Sequence, residues 1–348
     1  MKICILGLGR VFQHYEKNFI DDLFVNNNKI YLFDSDFKKL NFVNKKHNYI
    51  RLSSMDQLIE EKIDIGIVST PSGTHYEITK FLLNNGINVL TEKPPTMNEK
   101  ELKELIILAR NKCLKYGVIF QNRLNRSMQI AKKIIDKQLL GQIKVCSIKL
   151  HWCREQEYYN DEWHGTWKQD GGVINQQAIH HVDAMQWLNG PLDCVSSCSE
   201  NLINNLEAED TMIALVKFKN GSLGTIEAST AIRPKDKEAS IFLSGTKGFL
   251  KVGGVALNLI EEYSFNCDDK LLLERLNNAS LNVESGYGTS HKEVVEDFIN
   301  AVSNDEDPCI TASSTINTVR AINALYMSSE SMKWANVDKY SISNYLGK

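Results

Sequence analysis

The sequence has no long hydrophobic run and no block of basic residues. None of its apolar runs reaches the ~20 residues that a membrane-spanning helix needs, so we expect no membrane partner. Its net charge is −3 and its lysines and arginines are scattered, which argues against a nucleic-acid partner. Met1 leads straight into a short apolar run followed by glycines, which is not the pattern of a signal peptide.

The eight cysteines form no Cys-x-x-Cys pair and no cysteine–histidine ligand pattern. Cys194 and Cys198 are four residues apart, but no second cluster accompanies them. The spacing therefore predicts no metal and indicates reduced thiols, as in a cytoplasmic protein. The chain also lacks internal repeats and low-complexity segments. A chain of 348 residues, 43% hydrophobic and 24% charged, predicts a globular protein of two domains.

The chain opens with a strand, a glycine turn and a helix. Residues 2–6 are apolar and β-rich, and the turn Gly7-Leu8-Gly9-Arg10-Val11 follows. Gly7 allows a tight turn, and Gly9 lets backbone N–H groups approach a pyrophosphate at the helix start. We expect this turn to contact the cofactor through Gly7, Leu8, Gly9, Arg10 and Val11. Phe12 replaces the third glycine of the usual fingerprint, so we expect a wider or shifted packing of helix on strand.

Asp34 ends the second predicted strand, residues 29–33. It lies about 25 residues after Gly9, near the spacing of an acid that binds the adenine ribose. A carboxylate there would repel a 2′-phosphate, which favours NAD over NADP. The alternative is that Asp34 caps the next helix, although Ser35 or Asp36 could serve as that cap.

Strands and helical segments then alternate to about residue 122. This alternation predicts a parallel, doubly wound Rossmann sheet over residues 1–122, with ligands at the carboxyl ends of the strands. We place the following residues there: Ser69, Thr70, Pro71, Glu92, Lys93 and Asn122. His75 follows the same loop, as a cofactor-side residue or as a packing residue at a helix start. Two prolines fix the backbone after Lys93, whose amine could donate or accept a proton beside a bound dinucleotide.

Residues 123–348 predict an α+β domain for substrate binding and oligomerisation. Strands are expected at 143–152, 193–201, 210–218, 222–230, 238–244 and 248–252. Consecutive hairpins make this an open, mainly antiparallel sheet. Helices are expected near 178–189, 290–303 and 312–332, and residues 261–286 are left unassigned.

The residue pattern of the predicted strand 210–218 is apolar on both faces. Ile213 and Leu215 share one face, and Met212, Ala214, Val216 and Phe218 share the other. The chain's own helices can cover only one face, so we expect a homodimer or homotetramer built through this sheet. We expect Val216 to lie on the face that contacts another subunit. The alternative is that residues 261–286 fold back over the sheet.

The densest polar chemistry lies between Arg154 and Asp183. Gln176 and His180 are four residues apart and share a face if one helix spans both. Asp183 could orient the His180 imidazole or pair elsewhere, and His181 is the packing histidine. The aromatic side chains could form sugar-binding walls or pack in the core; they are Tyr158, Tyr159, Trp163 and Trp167.

Taken together, these motifs resemble the Gfo/Idh/MocA oxidoreductase family. The motifs that match in order are Gly7-x-Gly9, Glu92-Lys93-Pro94, Asp170-Gly171-Gly172, Ile179-His180-x-x-Asp183, His291-Lys292-Glu293 and Ala321-x-x-Ala324-x-Tyr326. The resemblance covers nearly the whole chain. It implies a bound NAD, a catalytic Lys at Lys93 and a catalytic His at His180.

One position departs from many sugar dehydrogenases of that family, which have Asp four residues before the histidine. Gln176 stands there and cannot titrate. The run from Trp163 to His180 is similar to members that act on nucleotide sugars for surface polysaccharides. The resemblance thus implies hydride transfer at a ring hydroxyl or keto group. The substrate residues would be Lys93, Arg154, Tyr159, Trp163, Trp167, Gln176 and His180, with Arg154 pairing with a uronate or phosphate.

Two other functional classes stay open on the sequence. One is an enzyme with tightly held NAD that uses transient oxidation, as epimerases and some glycosidases do. The other is a non-catalytic sugar sensor on the same fold, since a fold does not fix a function. Retention of both Lys93 and His180 argues against the sensor.

Overall fold

A computed structural model describes residues 1–25, 28–43, 47–283 and 285–348. The chain forms two compact units, the first made of Met1–Ile119 and His291–Ile316, the second of Phe120–Ser290 and Asn317–Lys348. The sequence-based division was 1–122 and 123–348. The structure thus gives residues 291–316 to the first unit, although they are far from it in sequence. The order of residues along the chain does not show that a late segment packs with the first unit.

The first 119 residues alternate strands and helices. The strands are β1 (Lys2–Leu6), β2 (Lys29–Phe33), β3 (Ile50–Arg51), β4 (Ile65–Val68), β5 (Asn88–Thr91) and β6 (Tyr116–Val118). The helices are α1 (Arg10–Asn18), α2 (Ile20–Val25), α3 (Phe37–Phe42), α4 (Asp56–Glu60), α5 (His75–Asn84) and α6 (Glu99–Asn111). All neighbouring strands are parallel, in the order β3-β2-β1-β4-β5-β6. This confirms the predicted Rossmann sheet.

The sheet order explains where the polar motifs of the first unit lie. β1 and β4 are central, and nearly all of their residues are buried because helices cover both faces. The glycine turn, Asp34, Ser69 and Glu92 follow β1, β2, β4 and β5 respectively. Parallel strands share one carboxyl edge, so these residues belong to the ligand side of the sheet.

Residues 120–290 form a second, mostly antiparallel sheet with helices. The strands are β7 (Ile143–His151), β8 (Leu192–Glu200), β9 (Thr211–Phe218), β10 (Leu223–Ser229), β11 (Glu238–Gly245), β12 (Gly248–Gly253) and β13 (Leu259–Phe265). The helices are α7 (Arg126–Asp136), α8 (Val173–Gln176), α9 (Ile179–Asn189) and α10 (Lys270–Asn277). Only β7 and β10 pair in parallel among the described strands of this sheet. The predicted α+β architecture is confirmed.

The chain then returns to the first unit with α11 (His291–Asn304). It ends in the second unit with α12 (Ile316–Ser331), of which only Ile316 belongs to the first unit, and with the edge strand β14 (Ala335–Asn336). Residues 261–286, unassigned from sequence, contribute most of β13 and all of α10; Glu284 lies outside the described residues. None of the described helices is both long and apolar enough to cross a lipid bilayer.

One face of the second sheet is exposed, and the sequence assigned it wrongly. Along β9, Met212, Ala214, Val216 and Phe218 are buried. Ile213 and Leu215 are 51% and 56% exposed, whereas Val216 is 1% exposed. Helix α8 packs on the Val216 side, and Leu223 extends the apolar exposure onto β10. Because both faces are apolar in sequence, alternation alone could not tell which one the helices cover.

Candidate active site

The glycine turn is held against the loop after β4. Gly7 has φ +94°, and a Cβ there would lie 2.6 Å from the carbonyl oxygen of Ser69. The Ser69 hydroxyl donates to the carbonyl oxygens of Leu6 and Gly7. A Cβ at Gly9 would meet no atom of the described residues within 4 Å, and Gly9 has no side chain to cap α1. The turn thus has space for a pyrophosphate at the start of α1, and Phe12 is buried.

Asp34 is buried where β2 ends, and it organises the same turn. Its Oδ2 accepts from the backbone N–H of Leu8 at 2.8 Å, and its Oδ1 accepts from that of Asp36 at 2.9 Å. Lys39 Nζ lies 3.4 Å from Oδ2. The cap of the following helix is Asp36, whose side chain accepts from Lys38 N. Asp34 is therefore not the cap, which leaves the ribose role as the prediction for it.

His75 joins the loops after β4 and β5. Its Nδ1 lies 2.7 Å from the carbonyl oxygen of Pro94, and its Nε2 lies 2.8 Å from that of Thr70. The ring is 1% exposed, and burial lowers the pKa of His75, while the two carbonyl oxygens counter that drop. Thr70 and Pro71 remain half-buried at the ligand edge. His75 thus sets the spacing of the two loops from inside.

Glu92 is buried at the end of β5, and Lys93 follows it half-buried. The Tyr15 hydroxyl donates to Glu92 Oε1 at 2.6 Å, and the backbone N–H of Lys93 donates to Oε2 at 3.4 Å. His291 Nε2 lies 3.9 Å from Oε1. Burial raises the pKa of Glu92, while Tyr15 and the charge of Lys93 counter that rise. A glutamate and a lysine whose charges interact therefore share this loop.

In the second unit, Gln176 and His180 lie on either side of a helix break. Helix α8 ends at Gln176 and α9 begins at Ile179, so the single helix assumed for a shared face is interrupted. The ring of Phe120 meets the His180 ring edge-on, at a centroid distance of 5.7 Å. His181 is buried, and burial lowers its pKa to about 3, which fits a packing histidine.

Asp183 belongs to a buried ion pair with Arg123. Its Oδ2 accepts from Arg123 Nε at 2.7 Å, and its Oδ1 accepts from Arg123 Nη2 at 2.6 Å. The hydroxyl of Thr318 also donates to Oδ1, at 2.8 Å. The pair links the start of the second unit to α9 and α12. Asn122 is buried beside Arg123 in a 3-10 turn, where its Oδ1 accepts from Asn125.

Arg154 is held by an acid and by two rings. Its Nη1 donates to Asp236 Oδ1 at 3.0 Å and to the carbonyl oxygen of Cys153 at 2.6 Å. The guanidinium lies 4.7 Å from the centroid of Trp152 and 5.8 Å from that of Tyr158. This places a cation with restricted rotation on a polar loop.

The aromatic side chains predicted as sugar-binding walls differ in burial. Tyr159 is buried, with its hydroxyl 2.8 Å from Thr230 Oγ1, so it packs in the core. Trp163 and Trp167 are half-buried. The Trp163 ring contacts that of His164 at a centroid distance of 3.6 Å and a tilt of 32°, whereas Trp167 packs against Tyr326 and Tyr345.

A network that sequence reasoning missed holds the turn before α8. The backbone N–H of Gly172 donates to the Tyr326 hydroxyl at 2.9 Å, and that hydroxyl donates to Glu209 Oε1 at 3.1 Å. Glu209 also accepts from the N–H of Ile174, and burial raises the pKa of Glu209 to about 7. A Cβ at Gly172 would overlap the Glu209 carboxylate. The sequence signalled this network only through two separate motifs, Asp170-Gly171-Gly172 and the motif that ends at Tyr326.

A parallel sheet with an open glycine turn, followed by an antiparallel sheet, defines a dinucleotide-binding protein with a separate second domain. Comparison with protein-family models shows which family the chain belongs to. Residues 1–120 match the oxidoreductase family's NAD-binding Rossmann fold, and residues 132–337 match that family's C-terminal alpha/beta domain. The chain therefore belongs to the Gfo/Idh/MocA oxidoreductase family, and its first unit is a NAD-binding domain.

Solved structures show the same fold over nearly the full length. The WlbA dehydrogenase of Chromobacterium violaceum, in complex with NADH and UDP-GlcNAcA, is 27% identical with a TM-score of 0.89; the match covers 97% of this chain and 95% of that one. The WlbA dehydrogenase of Bordetella pertussis, with the same ligands, is 27% identical with a TM-score of 0.88, covering 97% of each chain.

Curated relatives match over shorter stretches. An uncharacterized oxidoreductase of Schizosaccharomyces pombe is 31% identical over 218 residues, which span 59% of this chain and 58% of that protein. The chain thus spans little more than half the length of this relative. D-glucoside 3-dehydrogenase of Escherichia coli is 24% identical over 297 residues, covering 78% of this chain and 79% of that protein.

Proposed function

We propose that the protein is a NAD-dependent dehydrogenase of a nucleotide sugar, acting at a ring CH–OH or keto group in the synthesis of a surface polysaccharide. The observation that carries the proposal is the likeness to two dehydrogenases solved with NADH and UDP-GlcNAcA, which extends over 97% of this chain. The class of substrate we infer is a UDP-linked N-acetylhexosaminuronate.

Lys93 is assigned the proton of the reacting hydroxyl. When bound, NAD supplies a nicotinamide ring that accepts the hydride from the carbinol carbon. Lys93 takes the hydroxyl proton as the C–O bond becomes a carbonyl, and it returns that proton in the reverse direction. Its place after β5, on a loop tied to Tyr15 and His75, supports this role because a general base must be held within reach of one atom.

His180 and Gln176 are assigned to the substrate. His180 shares or relays the proton, whereas Gln176 can only donate and accept hydrogen bonds. Arg154 is assigned an anionic group of the substrate, a carboxylate or a phosphate. Asp236 accepts a hydrogen bond from Nη1 of Arg154. Among the described residues, Nε and Nη2 have no hydrogen-bond acceptor, so this edge of the guanidinium can still bind an anion in bidentate fashion.

A panel of sugars tests the proposal directly. The reduced-nicotinamide absorbance of the protein with NAD would be followed with UDP-N-acetylglucosaminuronate, UDP-N-acetylglucosamine, free uronates and simple glucosides. We expect NADH to accumulate fastest with the UDP-linked uronate. Oxidation of glucosides alone would instead favour a D-glucoside dehydrogenase, and binding of a sugar with no redox change would favour a sensor.

We predict that NAD binds at least about tenfold more tightly than NADP. Asp34 is buried against the glycine turn, and placing a 2′-phosphate beside a carboxylate costs several kcal/mol. In Asp34→Ala the difference should shrink, because Lys39 then lacks its partner and can approach the phosphate. Titrating both cofactors against both proteins measures this, and equal binding of NAD and NADP to the unmodified protein would contradict it.

We also propose that the exposed sheet face joins two or more copies of the chain. Ile213, Leu215 and Leu223 are each more than half exposed on neighbouring strands, and such apolar patches are rare on monomers. Leu215→Arg is predicted to dissociate the oligomer to the 39.5 kDa chain in light scattering at micromolar concentration. Leu271→Arg is the matched control, because Leu271 is 57% exposed but lies on α10. A monomeric unmodified protein would rule the interface out.

A further inference from the structure

The Glu92 carboxylate is the meeting point of three segments of the first unit. Tyr15 comes from α1, His291 is the first residue of α11, and Lys93 follows on the same loop. The contact explains why a tyrosine lies on the buried side of α1 and why a histidine opens α11. Neither residue is accounted for by cofactor binding.

Several charged and titratable groups of the described residues lie around this carboxylate. On its own loop the neighbour is Lys93. From α1, Tyr15 donates to the carboxylate, and the ring of His14 lies 5.0 Å from that of His291. Burial, and then the charge of Lys17, lowers the pKa of His14. From α5, His75 is close enough to Lys93 for the lysine charge to contribute to its lowered pKa. The charge of Lys93 therefore lowers the pKa of both Glu92 and His75.

This arrangement determines the direction in which Glu92 shifts the pKa of the Lys93 amine. A nearby carboxylate stabilises an ammonium group, and the charges of Glu92 and Lys93 interact, so an ionised Glu92 delays the deprotonation of Lys93 to higher pH. Desolvation of a half-buried lysine works in the opposite direction. The Tyr15 hydrogen bond favours the ionised form of Glu92 against burial. Tyr15 and Lys93 thus both favour the charged form of the Glu92 carboxyl group, next to the lysine that the proposed reaction uses.

We propose that Glu92, held by Tyr15 and His291, is a positioning residue that sets the pH range in which the Lys93 amine acts as a base. The inference rests on the proposed function, because it assumes that Lys93 handles the substrate proton. It assigns Glu92, predicted from sequence as a cofactor contact, to the lysine instead. It also gives the His291-Lys292-Glu293 motif a role in the reaction.

The first test is the pH dependence of kcat/KM for sugar oxidation. Oxidation needs neutral Lys93, so activity rises with pH through the pKa of the amine. In Glu92→Gln the stabilising charge is gone, and the rising limb should move to lower pH by roughly 1–3 units. In Tyr15→Phe the carboxylate remains, so the limb should move less. An unmoved limb in Glu92→Gln would overturn the proposal.

The second test does not depend on turnover. Lysines of the NAD-bound protein would be reductively methylated with carbon-13, and the Lys93 signal would be assigned by its loss in Lys93→Arg. Its titration midpoint should fall in Glu92→Gln. Glu61→Gln is the matched control, since Glu61 is a half-buried glutamate of the same unit that also accepts from a tyrosine hydroxyl, that of Tyr31 at 2.9 Å; it should leave the midpoint unchanged. An unchanged midpoint in Glu92→Gln would refute the inference.

The two failures can be told apart. If Lys93→Met keeps its turnover, the proposed function fails, whatever the titrations show. If Lys93→Met is inactive while Glu92→Gln leaves both the limb and the midpoint in place, only the role of Glu92 fails. Thermal unfolding of each variant shows whether it is folded, and Glu92→Asp, which keeps the charge, should restore the limb toward its original position.

Discussion

Lys93→Met is expected to reduce kcat toward the detection limit, a loss at the upper end of the roughly 10²–10⁴-fold that general acid–base catalysis supplies. The thioether has a similar length but neither accepts nor donates the substrate proton. NAD affinity should remain close to that of the unmodified protein, because the pyrophosphate is assigned to backbone groups at the start of α1. Stopped-flow absorbance of NADH and a fluorescence titration with NAD measure the two quantities.

His180→Asn provides the graded comparison for the same reaction. It should lose about 10²-fold in kcat, less than Lys93→Met, because His180 is assigned to share the proton rather than to remove it. Near-normal turnover in Lys93→Met would contradict the mechanism. A parallel loss of NAD binding would show instead that Lys93 holds the cofactor.

Asp183→Ala is expected to lower the free energy of unfolding by about 3–5 kcal/mol. The substitution leaves the Arg123 guanidinium, whose side chain is 7% exposed, without its bidentate partner in the second unit. It also removes the acceptor of Thr318. Urea denaturation followed by circular dichroism measures the loss. Asp136→Ala is the control, since Asp136 pairs with Lys132 on an exposed helix face and should cost no more than about 1 kcal/mol.

A double replacement separates the two causes of that loss. Arg123→Met combined with Asp183→Leu removes both charges and leaves apolar groups of similar size. Replacing a buried ion pair in this way is often neutral or stabilising. The double variant should therefore be more stable than Asp183→Ala alone. If the double variant is as unstable as Asp183→Ala, stability at this position depends on the hydrogen-bond network itself and not only on avoiding an unpaired charge.

The sequence predicted most of the secondary structure for a definite reason. Apolar strands between amphipathic helices fix a parallel sheet, and the glycine turn with Asp34 marks its ligand edge. Edge strand β13 escaped prediction because most of its side chains are half-exposed or exposed, so it lacks apolar alternation. The exposed face of β9 was chosen wrongly because both of its faces are apolar.

Partners distant in sequence account for what the site analysis missed. Tyr15 and Glu92 are 77 residues apart, and Arg123 and Asp183 are 60 residues apart. Local spacing could suggest that Asp183 serves His180 three residues before it, but it could not reveal a guanidinium from another segment. Burial supplies the missing information, because a buried carboxylate requires a partner and the fold decides which one is near.

The return of α11 to the first unit has a consequence for synthesis on the ribosome. Phe298 of α11 is fully buried against Gly117 of β6, and Val118 donates its N–H to the carbonyl oxygen of Ile310. When the first 119 residues have been translated, this side of the nascent Rossmann sheet has no cover. Elongation adds about 5–20 residues per second, so the uncovered sheet waits on the order of ten seconds or more for residues 291–316. The NAD-binding unit can complete its folding only after residues 291–316 have been made.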